Sequence, residues 1–249
     1  MLRCEVTLVE VRLENGGMGG RIECPPGLRP DPGQYLLAHA VGQDEALPAA
    51  LFAARTLSLS LSGDVAAGEL ELAPPLPPGW TAGVRLAVRG PLGRGFRLPA
   101  SARKVALIGL GVPPYRLLPL ADLALSQGAA VALYAHSAHT ARGVPDGLPP
   151  EVEVLPLEAL PDALSWADFM AFDLAPGAFS GIKKRFGLMP HTPLPVAAQV
   201  LVRVPMPCGG IAECGLCAVE TSSRSGSRQG WKLACKEGPV FDFNELEEG

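Results

Sequence analysis

Near residue 97 the hydrophobic pattern of this chain changes in kind, and that change limits the folds open to it. Before it come short apolar runs at residues 6–13, 34–39, 56–61 and 85–88, set off by the turn-rich stretches CPPGLRPDPGQ, SGD, APPLPPG and GPLGRG. Short strands between such signals predict a small antiparallel β-barrel or sandwich. The proline-rich residues 73–80 lie between strand signals and read as a loop. After it, KVALIGL at residues 104–110 is a continuous apolar run, the mark of a strand buried on both faces. A leucine-rich helical pattern follows over 115–127 and stops at Gly128, with Pro119 as an interruption inside it. Further strand candidates at 131–135, 152–155 and 166–174 complete an α/β alternation. The last segment, 197–249, holds a strand-like AQVLVRV, a cysteine-rich loop, the polar run TSSRSGSRQG and WKLACKEGPVFDF. The expected organisation is therefore a barrel over 1–97, an α/β domain over 98–196 and a third domain over 197–249.

With 48% apolar and 18% charged residues in 249, the chain can bury real cores. A formal net charge of −4 offers no electrostatic footprint for nucleic acid or an anionic membrane. No apolar run has membrane-spanning length, and MLRCEVTLVEVRL alternates like a strand instead of carrying a signal peptide's apolar block. The expected compartment is the cytoplasm. There, six cysteines point to metal or redox chemistry before disulfides.

Four of those cysteines, Cys208, Cys214, Cys217 and Cys235, are spaced C-x5-C-x2-C-x17-C. Four thiolates can hold zinc or a [2Fe–2S] cluster, so ligand identity leaves both open, with disulfides or free thiols as a third option. Structural zinc sites usually present two C-x2-C knuckles, and here there is one. Three ligands in a short loop with a distant fourth are closer to the plant-type ferredoxin spacing, with one residue more in the first interval. Gly209, Gly210 and Gly215 let the backbone curl so that N–H groups can face cluster sulfurs. Cys4 and Cys24 lie in strand-like surroundings and read as buried apolar thiols. His136 and His139 have no carboxylate nearby in sequence, and Lys183-Lys184-Arg185 reads as a solvated basic face.

MPCGGIAECGLCAVE (206–220) followed by KLACKEGPVF (232–241) resembles the cluster domain of the electron-transfer subunit of NAD-linked dihydroorotate dehydrogenases. The order of barrel, α/β domain and cluster domain is that of ferredoxin-reductase-like flavoproteins. Pro32-Gly33-Gln34-Tyr35 and Gly90-Pro91-Leu92-Gly93-Arg94-Gly95-Phe96 match the family's turns into and out of the barrel. Those turns need glycine and proline in any case, so both read mainly as structural. The resemblance implies a [2Fe–2S] cluster on the four cysteines. It also implies FAD on the barrel strand Arg55-Thr56-Leu57-Ser58, Arg55 meeting the diphosphate and Ser58 the flavin ring. The partner it implies is an FMN-containing dihydroorotate dehydrogenase catalytic subunit of pyrimidine biosynthesis, exchanging electrons with NAD(H) through this chain. Two family motifs have no counterpart. The G-x-G-T turn is replaced by a proline-rich stretch, and neither C-G-P-x-x-M nor a third glycine after IGLG is present. Gly109 and Gly111 are therefore read as strand–helix packing. A degenerate, non-catalytic cluster relay or adaptor without FAD or NAD stands as the alternative.

Overall fold

The structure, a computed structural model, describes every residue except 1, 16, 44–46, 58–67, 136–143, 146, 176, 180, 190, 191, 209, 223–228 and 247–249. Ser58, Gly209, His136 and His139 thus lie outside the described residues.

The barrel is built from β1 (Leu2–Glu14), β2 (Gly17–Cys24), β3 (Tyr35–Ala40), β4 (Ala49–Leu57), β5 (Gly68–Leu72) and β6 (Arg85–Leu92). They close in the order β1-β2-β5-β4-β3-β6, every pair antiparallel. Leu8, Ile22, Leu28, Leu36 and Leu70 fill its interior with no solvent exposure, and Trp80 from the proline-rich loop closes it. Cys24 is fully buried among them and Cys4 packs against the same core, as expected of inert thiols. Burial raises both thiol pKa values, which keeps them protonated and unreactive.

Three strands depart from the pattern reading. β2 (GMGGRIEC) is glycine-rich, and β4 begins at Ala49 in the alanine-rich AALFAA, well before the expected start at 56. Both compositions are poor strand formers, and cross-strand pairing overrides that preference. β5 (GELEL) opens the stretch in which the G-x-G-T turn is missing, and it is not among the expected strands. A register shift between Ala53 and Arg55 turns the last residues of β4 relative to its start.

The α/β layer is a six-stranded sheet in the order β14-β11-β10-β7-β8-β9. Its members are β7 (Lys104–Leu110), β8 (Ala130–Ala135), β9 (Glu153–Pro156), β10 (Phe169–Leu174), β11 (Ala197–Leu201) and β14 (Val240–Asp242). All pair in parallel except β14, which runs antiparallel to β11. The run of Val105 to Ile108 is completely buried, as a central parallel strand requires. Helix α1 (Leu118–Ser126) begins after a 3-10 turn at Tyr115–Leu117, so Pro119 sits in its first turn and interrupts nothing. Trp166 ends α2 (Leu160–Trp166), and β10 starts only at Phe169. On α3 (Ile182–Arg185) Lys184 and Arg185 are exposed, but Lys183 is buried, so the basic run is not a uniformly solvated face.

The boundary expected at 196/197 cuts through this sheet. β11 and β14, both expected in the third domain, are sheet strands, and the cluster arm is the excursion between them. That arm contains the hairpin of β12 (Ala218–Ser222) and β13 (Gln229–Leu233), then the one-turn helix α4 (Ala234–Glu237). Among the described residues no helix is long and apolar enough to cross a membrane.

Candidate metal centre

Cys208 lies just beyond β11, Cys214 and Cys217 lie on the loop entering β12, and Cys235 lies on α4. The hairpin returns the chain so that the distant fourth thiol meets the other three. Cys208 contacts the Cys214 thiol, and Cys235 contacts those of Cys217 and Cys208, so all four are joined in one chain of contacts. Among the described residues no three His, Cys, Asp or Glu side chains converge as ligands of a single ion would. Four neighbouring thiols are the donor set of a [2Fe–2S] cluster or of a zinc ion. Cys217 and Cys235 are buried, Cys208 is partly covered and Cys214 is exposed.

Backbone N–H groups of Ala212, Glu213 and Cys214 face the Cys208 sulfur. Ala212 (φ 64°), Gly210 (φ 82°) and Gly215 (φ 70°) are left-handed, which gives the loop its tight curl. Burial works to raise the Cys208 pKa, but those donors together with the Cys214 thiol bring it down to about 6. A metal-ready thiolate is therefore favoured at one end of the loop. Cys235 is pushed up to about 12 by burial and by its Cys217 and Cys208 neighbours. A cationic centre would relieve that crowding of thiols.

The arm is locked to the rest of the molecule by the motifs read as turn glycines. Tyr35, at the end of the P-G-Q-Y run, is fully buried and donates its hydroxyl hydrogen bond to the Cys235 carbonyl at 2.9 Å. Burial, then the neighbouring Cys235 and Cys217, raise its phenol pKa, so it stays a donor. A Cβ on Gly93 would lie 2.6 Å from the Gly238 carbonyl, and one on Gly33 would lie 2.6 Å from Val240. P-G-Q-Y, G-P-L-G-R-G-F and K-E-G-P-V-F, far apart in sequence, thus form a single joint beneath the cluster loop. Glu237 caps α4 by accepting from the Leu233 N–H at 2.9 Å, and Lys232 pairs with Glu245 at 2.7 Å. Ile211, Leu216 and Trp231, each more than half exposed, leave apolar surface on the arm.

The other sequence candidates lie elsewhere. Arg55 is at the seam between barrel and α/β layer, where it donates to the Gly147 carbonyl at 2.8 Å and faces Asp122 of α1. Thr56 and Leu57 continue β4 beyond it. At the switch point, where the strand order reverses between β7 and β10, a dinucleotide would enter a crevice. A Cβ on Gly109 would lie 2.7 Å from the Pro114 ring, and one on Gly111 would lie 2.9 Å from Ala175. Both glycines serve close packing, though against residues outside the helices and not the strand–helix contact read from the sequence. Pattern reading missed the buried Asp173, whose two oxygens take the Arg203 guanidinium at 2.6 and 2.7 Å. It also missed Arg116, stacked 4.0 Å over the Phe52 ring. Neither has a sequence signature, because each pair is made across elements.

A closed antiparallel barrel followed by this sheet order and a C-terminal excursion defines a ferredoxin-reductase-like fold. Solved structures bear this out. An NADH-dependent reduced ferredoxin–NADP oxidoreductase, described in connection with flavin-based electron bifurcation, superposes with a TM-score of 0.73 at 17% identity, covering 97% of this chain and 89% of that one. The ferredoxin reductase of carbazole 1,9a-dioxygenase gives 0.55 at 18% identity over 76% of this chain and 67% of that one. Phthalate dioxygenase reductase, described as transferring electrons from pyridine nucleotides to [2Fe–2S], gives 0.53 at 12% identity over 94% of this chain and 77% of that one. Within that fold the last part is more particular. Residues 205–247 match the iron–sulfur cluster binding domain of dihydroorotate dehydrogenase B. The chain therefore carries an iron–sulfur domain of that type on a ferredoxin-reductase-like body.

Proposed function

We propose that this chain is an electron-transfer subunit that passes electrons between NAD(H) and an FMN-containing dihydroorotate dehydrogenase catalytic subunit, through FAD and a [2Fe–2S] cluster. The observation that carries the reading is the gathering of Cys208, Cys214, Cys217 and Cys235 into one contact chain, with three backbone donors aimed at Cys208. Those four thiols would hold the cluster, which supplies one-electron transfer when bound. The residues present fit it: soft donors, a curled loop rich in N–H groups, and two buried ligands that limit water. Tyr35 would hold the Cys235 arm in place, and the exposed Ile211, Leu216 and Trp231 would meet the catalytic subunit.

For FAD, Arg55, Thr56, Leu57 and Ser58 are the proposed contacts. At the seam between the two layers Arg55 donates to the Gly147 carbonyl and faces the Asp122 carboxyl. Its guanidinium fork could exchange that carbonyl for a diphosphate. Iron, sulfide and flavin quantification on anaerobically purified protein tests both halves. The expected result is two irons, two sulfides and one flavin per chain. Zinc in place of iron would reject the cluster, and iron without flavin would reject the FAD half while leaving the cluster intact.

The packing of Gly109 against Pro114 and Gly111 against Ala175 favours a second reading, a relay or adaptor with no nicotinamide site of its own. It predicts no NADH–dye reductase activity even with FAD added. Turnover in that assay would exclude it.

A further inference from the structure

The carbonyl of Cys235 is one that its own helix cannot satisfy. Helix α4 has a single turn, and the residue four places on, whose N–H would close an α-helical bond, is Pro239, which has none. Cys235 is buried, so water has little access to that acceptor. The Tyr35 hydroxyl reaches it from the barrel instead, at 2.9 Å. The Tyr35 ring is closely packed. Its centroid lies 5.9 Å from that of Phe52, and a Cβ on Gly93 would lie 2.9 Å from the ring edge. The same hydroxyl borders the cluster loop: a Cβ on Gly210 would lie 3.2 Å from the Tyr35 oxygen and 3.6 Å from the Cys235 carbonyl. Gly210 stands between Cys208 and Cys214, so one buried phenol adjoins both segments that carry the four thiols.

On the [2Fe–2S] reading of the four thiols, we propose that Tyr35 is a positioning residue for the cluster, and that its hydroxyl raises the cluster's reduction potential by acting through the Cys235 peptide. Reduction adds one electron, and so one negative charge, to the cluster and its ligands, with no bond made or broken. The hydroxyl proton points at the Cys235 carbonyl, so the positive end of its dipole lies on the ligand side, where burial keeps screening low. A fixed dipole of that sense favours the more negative state. The two ends of the ligand set are served differently. The Cys208 sulfur faces backbone N–H groups of its own loop, which come with any loop of that shape. The Cys235 sulfur meets the thiols of Cys217 and Cys208, and the donor beside it is a side chain, placed on its carbonyl. A side chain can be exchanged without reshaping the loop, so position 35 sets the potential separately from ligation.

The test uses the full chain with its cluster, purified anaerobically. Dithionite titration followed by electron paramagnetic resonance of the reduced centre reads the midpoint potential. Tyr35→Phe should keep iron and sulfide at the wild-type level while the reduction equilibrium constant falls about threefold or more, which is about 30 mV at about 59 mV per tenfold for one electron. Biosynthetic 3-fluorotyrosine strengthens the donor at nearly the same ring size and should move the potential upward. In Tyr35→Phe protein made the same way, where Tyr115 and Tyr134 still carry the label, it should move nothing. If Tyr35→Phe loses its cluster, the labelled wild-type protein still decides the matter. Gly128→Ala, a turn change with open space around it, should leave the potential where it was, which separates tuning from a general loss of stability. The proposal is overturned if an intact cluster keeps or raises its potential in Tyr35→Phe, if fluorotyrosine leaves the wild-type potential unmoved, or if Gly128→Ala shifts it equally. Wild-type protein without iron and sulfide overturns the [2Fe–2S] reading and this proposal with it, so metal and sulfide content tells the two failures apart.

Discussion

Cys235 shows how much of a cluster ligand's setting comes from residues that touch no metal. Its carbonyl takes the hydroxyl of Tyr35, which lies 200 positions earlier in the chain. Tyr35→Phe removes only that oxygen, so the expected cost is about 1 kcal/mol of apo-protein stability, read from denaturant midpoints. Cys214→Ser should behave differently. The thiol is exposed, so the apo melting temperature should stay unchanged while bound iron falls. Asp173 is the opposite case, because it is fully buried and paired through both oxygens. Asp173→Ala strands Arg203 and should destabilise the fold by about 3–5 kcal/mol. Replacing both partners with apolar residues should recover much of the loss.

At the scale of elements, the turn glycines have a more specific role than their composition suggested. Gly93 has φ +74°, and its Cα faces the Gly238 carbonyl and Tyr35. Gly93→Ala therefore adds both left-handed strain and a backbone clash, where an ordinary turn glycine would add only the first. We expect a melting temperature several degrees lower and weakened retention of iron against a chelator. Gly128, also left-handed (φ +74°) but with open space around it, supplies the control. Gly128→Ala should cost only the conformational strain and leave iron retention unchanged. Strands β7 and β10 were legible as strands because continuous apolar runs have few other uses. β2, β4 and β5 were harder to see. Glycine and alanine carry little strand signal, and their pairing partners are distant in sequence.

For the whole molecule, the cluster arm is not an appended domain. β14 returns from it to pair with β11, and Asn244 exchanges hydrogen bonds with Leu194 in both directions. A fragment beginning at residue 202 would leave β14 without its sheet partner. It should show little structure by circular dichroism and should fail to hold iron, although it contains all four cysteines. The sequence by itself determined the barrel-then-α/β order and the four cysteine positions, since apolar periodicity and thiol spacing are local in the chain. It also contained all the motifs of the joint, but as separate turns. Only the tertiary structure decided that those turns meet under Cys235, that β11 and β14 belong to the central sheet, and that Arg116 stacks on Phe52. Each of these depends on contacts between residues far apart in sequence, and no local pattern records a partner that folding has yet to bring near.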